Sequence, residues 1–287
     1  MPEPIDPRGQ DNPSTYFVED RSSNAEMIRL MILDKMITEV MGGPFAEQPD
    51  PASLHRVLDV GCGPGGWILE AARLYPHMEL VGIDISWRMI EYARTQAQVQ
   101  GLTDGVEFRV MDVLRPLEFP DGFFDLVNTR FCSSYILAKD WPRFLGEMIR
   151  VTRPGGIIRL TDGESPQSNS SAYNRLAEML MCALSRAGYF FQPGSAGIVP
   201  DLVRLLLESG CQQVQTQAHR LECPAGTVAS ESFYQLAMYS FQTGRPFVHK
   251  VGCATQDYDA LYEQAMIDLQ QKDSFSHWNL LTTWGTR

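Results

Sequence analysis

Residues 56–71 read Arg56-Val-Leu-Asp59-Val-Gly61-Cys62-Gly63-Pro-Gly65-Gly66-Trp-Ile-Leu-Glu-Ala71: an apolar strand, a glycine-rich turn and the start of a helix. Glycine reaches backbone conformations closed to other residues and lets the chain approach a ligand with no Cβ in the way. A carboxylate near the strand end, Asp59, followed by glycines at 61, 63 and 65, predicts a turn that seats an adenosine-bearing cofactor. In doubly wound sheets such a ligand lies beyond the carboxyl ends of the strands. The turn alone leaves the cofactor open, because Gly61, Gly63 and Gly66 also satisfy the dinucleotide pattern GxGxxG.

Outward from this stretch, short apolar strands are expected at 55–60, 79–84, 106–111, 123–129 and 157–163, with helices at 65–75, 87–100 and 141–152 between them. That alternation predicts an α/β fold with a Rossmann-like, doubly wound sheet. Upstream, apolar residues at helical spacing run from Ser22 to Met41, and Gly42-Gly43-Pro44 ends the run. Downstream, helices are expected at 172–187, 200–209 and near 226–243 and 257–271, with strands at 212–221 and 277–284 bringing the sheet to seven strands. The expected organisation is a polar leader over 1–20 and a single domain over 21–287. Its core covers about 50–164 and 200–287, and a helical cap is formed by 21–43 and 165–200.

The 287 residues carry a formal net charge of −11, with 44% apolar and 21% charged residues, the composition of an ordinary globular protein. No basic run offsets the acidity, which argues against a nucleic-acid partner. No segment approaches 18 uninterrupted apolar residues and the first residues lack a signal-peptide core, so neither membrane insertion nor export is expected and the location expected is cytoplasmic. The six cysteines (62, 132, 182, 211, 223, 253) form no CxxC pair or metal-ligand cluster and are expected to be reduced core thiols. No metal site is expected.

Three carboxylates decide between the cofactors. Asp84 ends the second strand, where a carboxylate accepts hydrogen bonds from ribose hydroxyls in either cofactor class. Asp59 stands two residues before the first glycine, where it suits a ligand carrying an ammonium, as methionine does, and suits a pyrophosphate poorly. Asp112 ends the third strand, placed to accept from an adenine amine, with Met111 and Val113 flanking the ring.

Together these residues resemble the class I S-adenosylmethionine-dependent methyltransferases, small-molecule type. The family's first motif looks like Asp59-Val-Gly61-Cys62-Gly63-Pro-Gly65, its ribose acid like Asp84 and its adenine acid like Asp112. The fourth-strand motif resembles Phe124-Asp125-Leu-Val-Asn128-Thr-Arg130, and the turn before the fifth strand resembles Arg150-Val-Thr-Arg-Pro154-Gly155-Gly156. The resemblance spans about 57–162. It implies S-adenosyl-L-methionine as cofactor, S-adenosyl-L-homocysteine as product, and cofactor contacts from Asp59, Gly61, Cys62, Gly63, Gly65, Asp84, Ile85, Met111, Asp112, Val113 and Asn128.

Methyl transfer from a sulfonium is an in-line displacement, which orientation alone accelerates and which needs a base only for a poorly acidic acceptor. Candidate catalytic residues are Tyr16, to close over the sulfonium; Arg130, to orient an acidic substrate or the cofactor's carboxylate; and Asp162 and Glu164, as base or substrate contacts. The aromatic and Met side chains of 179–191 and 233–241 are expected to wall an apolar pocket. The expected function is therefore methylation of oxygen or carbon on a small, fairly apolar acceptor. The alternative is a cyclisation or other non-methylating reaction on the same cofactor-binding fold. The oligomeric state is not legible.

Overall fold

β1 (Arg56–Val60) is buried from Val57 onward, as a strand covered on both faces must be. It lies at the centre of the sheet in the computed structural model, which describes residues 15–20, 23–192, 194–195 and 197–287. Most of the expected polar leader, residues 1–14, lies outside the described residues.

Parallel neighbours flank β1. β2 (Glu79–Asp84) and then β3 (Val106–Val110) lie on one side; β4 (Phe124–Arg130) and then β5 (Thr152–Gly163) lie on the other. The last strand, β8 (Phe275–Thr286), runs antiparallel to β5 and also pairs with β7 (Gln212–Pro224). A two-residue strand, β6 (Gln167–Ser168), adds to β8 and makes eight strands among the described residues, where seven were expected. Its brevity left no sequence signal.

The crossover helices are α2 (Gly66–Leu74), α3 (Trp87–Val99) and α4 (Trp141–Val151). One core packs Trp67 and Ile68 of α2 and Ile90 and Ala93 of α3 on the sheet; a larger one packs α4 and the remaining helices on the other face. Gly65 caps α2 at φ 81°, and a Cβ there would stand 2.8 Å from both Ala93 and Phe108. This glycine is required by helix–sheet packing as well as by the turn.

The additional helices are α1 (Asn24–Met41), α5 (Ser171–Arg186), α6 (Leu202–Glu208), α7 (Val228–Lys250) and α8 (Tyr258–Asp268). Ser23 caps α1 by accepting from Glu26 N, and Gly42 closes it at φ 83°. Two boundaries differ from the sequence reading. α7 runs past 243 and through Pro246, because Phe247 and Val248 are buried against the N-terminal segment and the core. β5 begins at 152: the Pro154–Gly156 turn is absorbed as an irregularity, with Phe124 paired to Thr152 but Leu126 to Ile157.

The expectation of wholly reduced thiols is corrected. Cys182 of α5 and Cys253, just after α7, form a disulfide with Cα atoms 6.1 Å apart, while the other four cysteines are free and buried. The two are 71 residues apart, so helix packing rather than local spacing brings them together. Among the described residues no helix is long and apolar enough to cross a membrane.

Candidate cofactor and acceptor site

A cavity of about 250 Å³ lies beyond the carboxyl ends of β1 to β4. Residues at or just beyond the end of each of these strands line it: Asp59 and 61–64, 84–86, 112–114, and Arg130, Phe131 and 133–135. The volume is near the lower end of small-molecule sites.

The strand-end acids are held by backbone donors. Asp84 accepts from Gly63 N at 3.0 Å and Ser86 N at 2.8 Å, so the glycine turn and the second strand are tied together. Asp112 accepts from Leu114 N at 2.9 Å and pairs with Arg115 at 3.3 Å. Asp59 is 3% exposed and accepts from Asn128 Nδ2 at 2.7 Å. Burial pushes its carboxyl up to about 7, against the opposing pull of Arg130 and the Asn128 donor. Gly61, Cys62, Gly63, Ile85 and Val113 join these acids on the cavity wall. Gly65, Met111 and Asn128 lie behind it.

Thr15, Tyr16 and Phe17 lie over the cavity, pinned by Phe17 N to Ser134 O and by the Thr15 hydroxyl to Tyr135 O. Tyr16 lines the cavity while its hydroxyl joins Glu26 and Arg29 of α1, where Arg29 donates to it at 2.6 Å and to Glu26 at 2.7 and 2.8 Å. Burial in that network holds the Tyr16 phenol well above its ordinary value. Arg130 also faces the cavity, but its charge is matched by Asp34 of α1, and it donates to Thr38 at 3.0 Å.

Asp162 and Glu164 do not line the cavity. Glu164 is exposed and accepts from Asn279 at 3.3 Å. Asp162 is buried behind Ser133, accepting from its hydroxyl at 2.8 Å, its N–H at 3.1 Å and Gly163 N at 2.9 Å. Burial outweighs these donors and raises its carboxyl to about 6 from 3.8. The folded state therefore holds this proton more tightly than the unfolded chain. The stability it contributes is present below about pH 4 and is lost as pH rises through about 6. Asp162→Asn should remove a decline of roughly 3 kcal/mol across that window, measured by urea unfolding of both proteins between pH 4 and 7. Equal slopes would contradict the assignment.

Sequence reasoning missed part of the wall. Trp278 of β8 and Phe131 face the cavity with ring centroids 5.4 Å apart, and Leu30 and Leu33 of α1 join them. Phe131 adopts φ 53°, an uncommon backbone for an aromatic residue, which a sequence does not announce. The stripes expected to wall a pocket instead fill the core: Met179, Tyr189, Phe233 and Phe241 are buried away from the cavity. A stripe at helical spacing reads the same whether it faces a ligand or another helix.

Residues 57–156 match a family described as a methyltransferase domain. Ajmaline N-methyltransferase of Rauvolfia serpentina is 41% identical over 116 residues, covering 40% of this chain and 38% of that protein. The chain spans less than half the length of such curated relatives. Phosphoethanolamine N-methyltransferase 2 of Haemonchus contortus, solved with phosphomonomethylethanolamine and S-adenosylhomocysteine, superposes with a TM-score of 0.58 at 18% identity, covering 96% of this chain and 61% of that one. The [4+2]-cyclase SpnF superposes with a TM-score of 0.50 at 19% identity, covering 92% and 96%. At such identities the likeness is one of fold. The sequence match falls on the strands and turns that build the cavity, so the part of the chain that resembles a methyltransferase domain is residues 57–156.

Proposed function

We propose that the chain transfers the methyl group of S-adenosylmethionine to oxygen or carbon of a small, fairly apolar acceptor. One observation carries this reading: Asp59, Asp84 and Asp112 face a single cavity that Phe17, Leu30, Leu33, Phe131 and Trp278 also line. The donor set fits the cofactor. Asp84, oriented by Gly63 N and Ser86 N, is the acceptor for ribose hydroxyls, Asp112 is the acceptor for the adenine amine, and Asp59 takes the ammonium. Ile85 and Val113 flank the adenine. Gly63, at φ 52°, would bring no more than an ordinary 3.7 Å contact with Leu30 if it carried a Cβ, so the backbone there stays open to a ligand.

When bound, the cofactor supplies an electrophilic methyl on a sulfonium. This chain's residues bind and orient. Phe131, Trp278 and Tyr16 offer ring faces to a flat or apolar acceptor, and the 15–17 segment excludes water. Ser133, backed by Asp162, is the polar group that can accept an acceptor's hydrogen bond and pass a proton inward. Arg130, already matched by Asp34, shapes the wall, and Glu164 lies outside it. Orientation then supplies most of the rate, which suits acceptors already nucleophilic at neutral pH. The N-methyltransferase relative brings an uncharged amine into the set to be assayed.

The test is an acceptor screen with purified protein and methyl-labelled S-adenosylmethionine. Labelled product and S-adenosylhomocysteine should appear in equal amounts. Product formed without S-adenosylhomocysteine would replace this reading with a cyclisation or other non-methylating reaction, the activity named for the SpnF neighbour.

A further inference from the structure

Asp59, Asn128 and Arg159 stand opposite one another on β1, β4 and β5, so their side chains form one row across the middle of the sheet. Arg159 is fully buried, and its guanidinium forms an ion pair with Glu47, whose side chain is also fully buried, from the loop after α1. Its Nη1 donates to Asn128 Oδ1 at 2.6 Å, and Asn128 Nδ2 donates to Asp59 at 2.7 Å. Arginine carries donors and no acceptor, so the Asn128 atom facing it must be the oxygen. The amide then has one orientation, with its NH2 toward Asp59. An isolated Asn beside a buried carboxyl could instead turn its oxygen inward and favour a protonated Asp59.

An ion pair buried this deeply is weak evidence of a role in stability, because apolar side chains of similar size often serve as well. Ile157, two residues away on the same face of β5, packs against the apolar core that contains Val57, Trp67 and Leu126. We propose that the Glu47–Arg159 pair is a positioning device: through Asn128 it keeps Asp59 a pure acceptor, aimed into the cavity for the α-ammonium of the cofactor. This rests on the S-adenosylmethionine reading above. The other charged groups near the row are Arg130 with Asp34 on the cavity side and His219 of β7 beside Arg159.

Two ligands isolate the effect. S-adenosylhomocysteine carries the ammonium; 5′-methylthioadenosine shares the adenosine and thioether but lacks it. In the double variant Glu47→Met/Arg159→Met, calorimetric affinity for S-adenosylhomocysteine should fall about tenfold or more, the loss of one charge-assisted contact. Affinity for 5′-methylthioadenosine should stay within about twofold, since the same contact is absent from it. Should that variant fail to fold, Asn128→Leu, which removes the amide and leaves the ion pair, must show the same selective loss. Equal weakening of both ligands, or unchanged binding of S-adenosylhomocysteine, would overturn the relay and leave the cofactor reading intact. Failure of the unaltered protein to bind S-adenosylhomocysteine would overturn both.

Discussion

Glu47→Met should lower the unfolding free energy by about 3–5 kcal/mol, because it strands a buried guanidinium without its counter-charge. The side chains of Arg159 and Glu47 are both fully buried, and the other acceptor on Arg159, the Asn128 oxygen, is neutral. A chain of this size should lose on the order of 10 °C in melting temperature. Adding Arg159→Met should recover most of the loss, since burying neither charge removes the desolvation cost along with the attraction. Urea unfolding of the single and double variants checks this. A single variant within about 1 kcal/mol of the parent would mean that water or another group reaches Arg159, the ordinary finding for an exposed pair.

Asp84→Ala should weaken S-adenosylhomocysteine binding at least about tenfold, from the roughly 1.5–3 kcal/mol of a hydrogen bond to a charged group. Gly63 N and Ser86 N hold the carboxylate at the cavity wall. Its removal also takes away one of the bonds between the glycine turn and β2, while Gly61 N and Cys62 N still donate to Ile83 O. Asp112→Ala should cost less, because backbone contacts along 113–114 remain available to an adenine ring. Calorimetric titration with S-adenosylhomocysteine measures both. Unchanged affinity in folded Asp84→Ala would remove Asp84 from the ribose role.

The parallel sheet was legible because its signals are local. Apolar runs of strand length, glycines where φ must be positive, and acids at strand ends are each contained within a few residues. Gly61, Gly63 and Gly65 all adopt positive φ, as a turn of this kind requires. Less legible were features made by distant segments. A lone arginine in Ile157-Ile158-Arg159-Leu160 signals that a buried partner must exist, but nothing in the sequence says that it is Glu47. Arg130 likewise reads as a free cation until α1 brings Asp34 to it. Trp278, 147 residues beyond Phe131, reaches the cavity wall through the pairing of β8 on β5.

By itself, then, the sequence determined the strand–turn–helix alternation, the positive-φ glycines and the strand-end acids Asp59, Asp84 and Asp112, because backbone sterics and short-range patterning act between near neighbours. Tertiary structure decided which charges remain available to a ligand, which aromatic residues form the wall, and that Cys182 meets Cys253. Those outcomes depend on the close approach of surfaces far apart in the chain. A side chain's charge or ring has no assigned partner until packing supplies one.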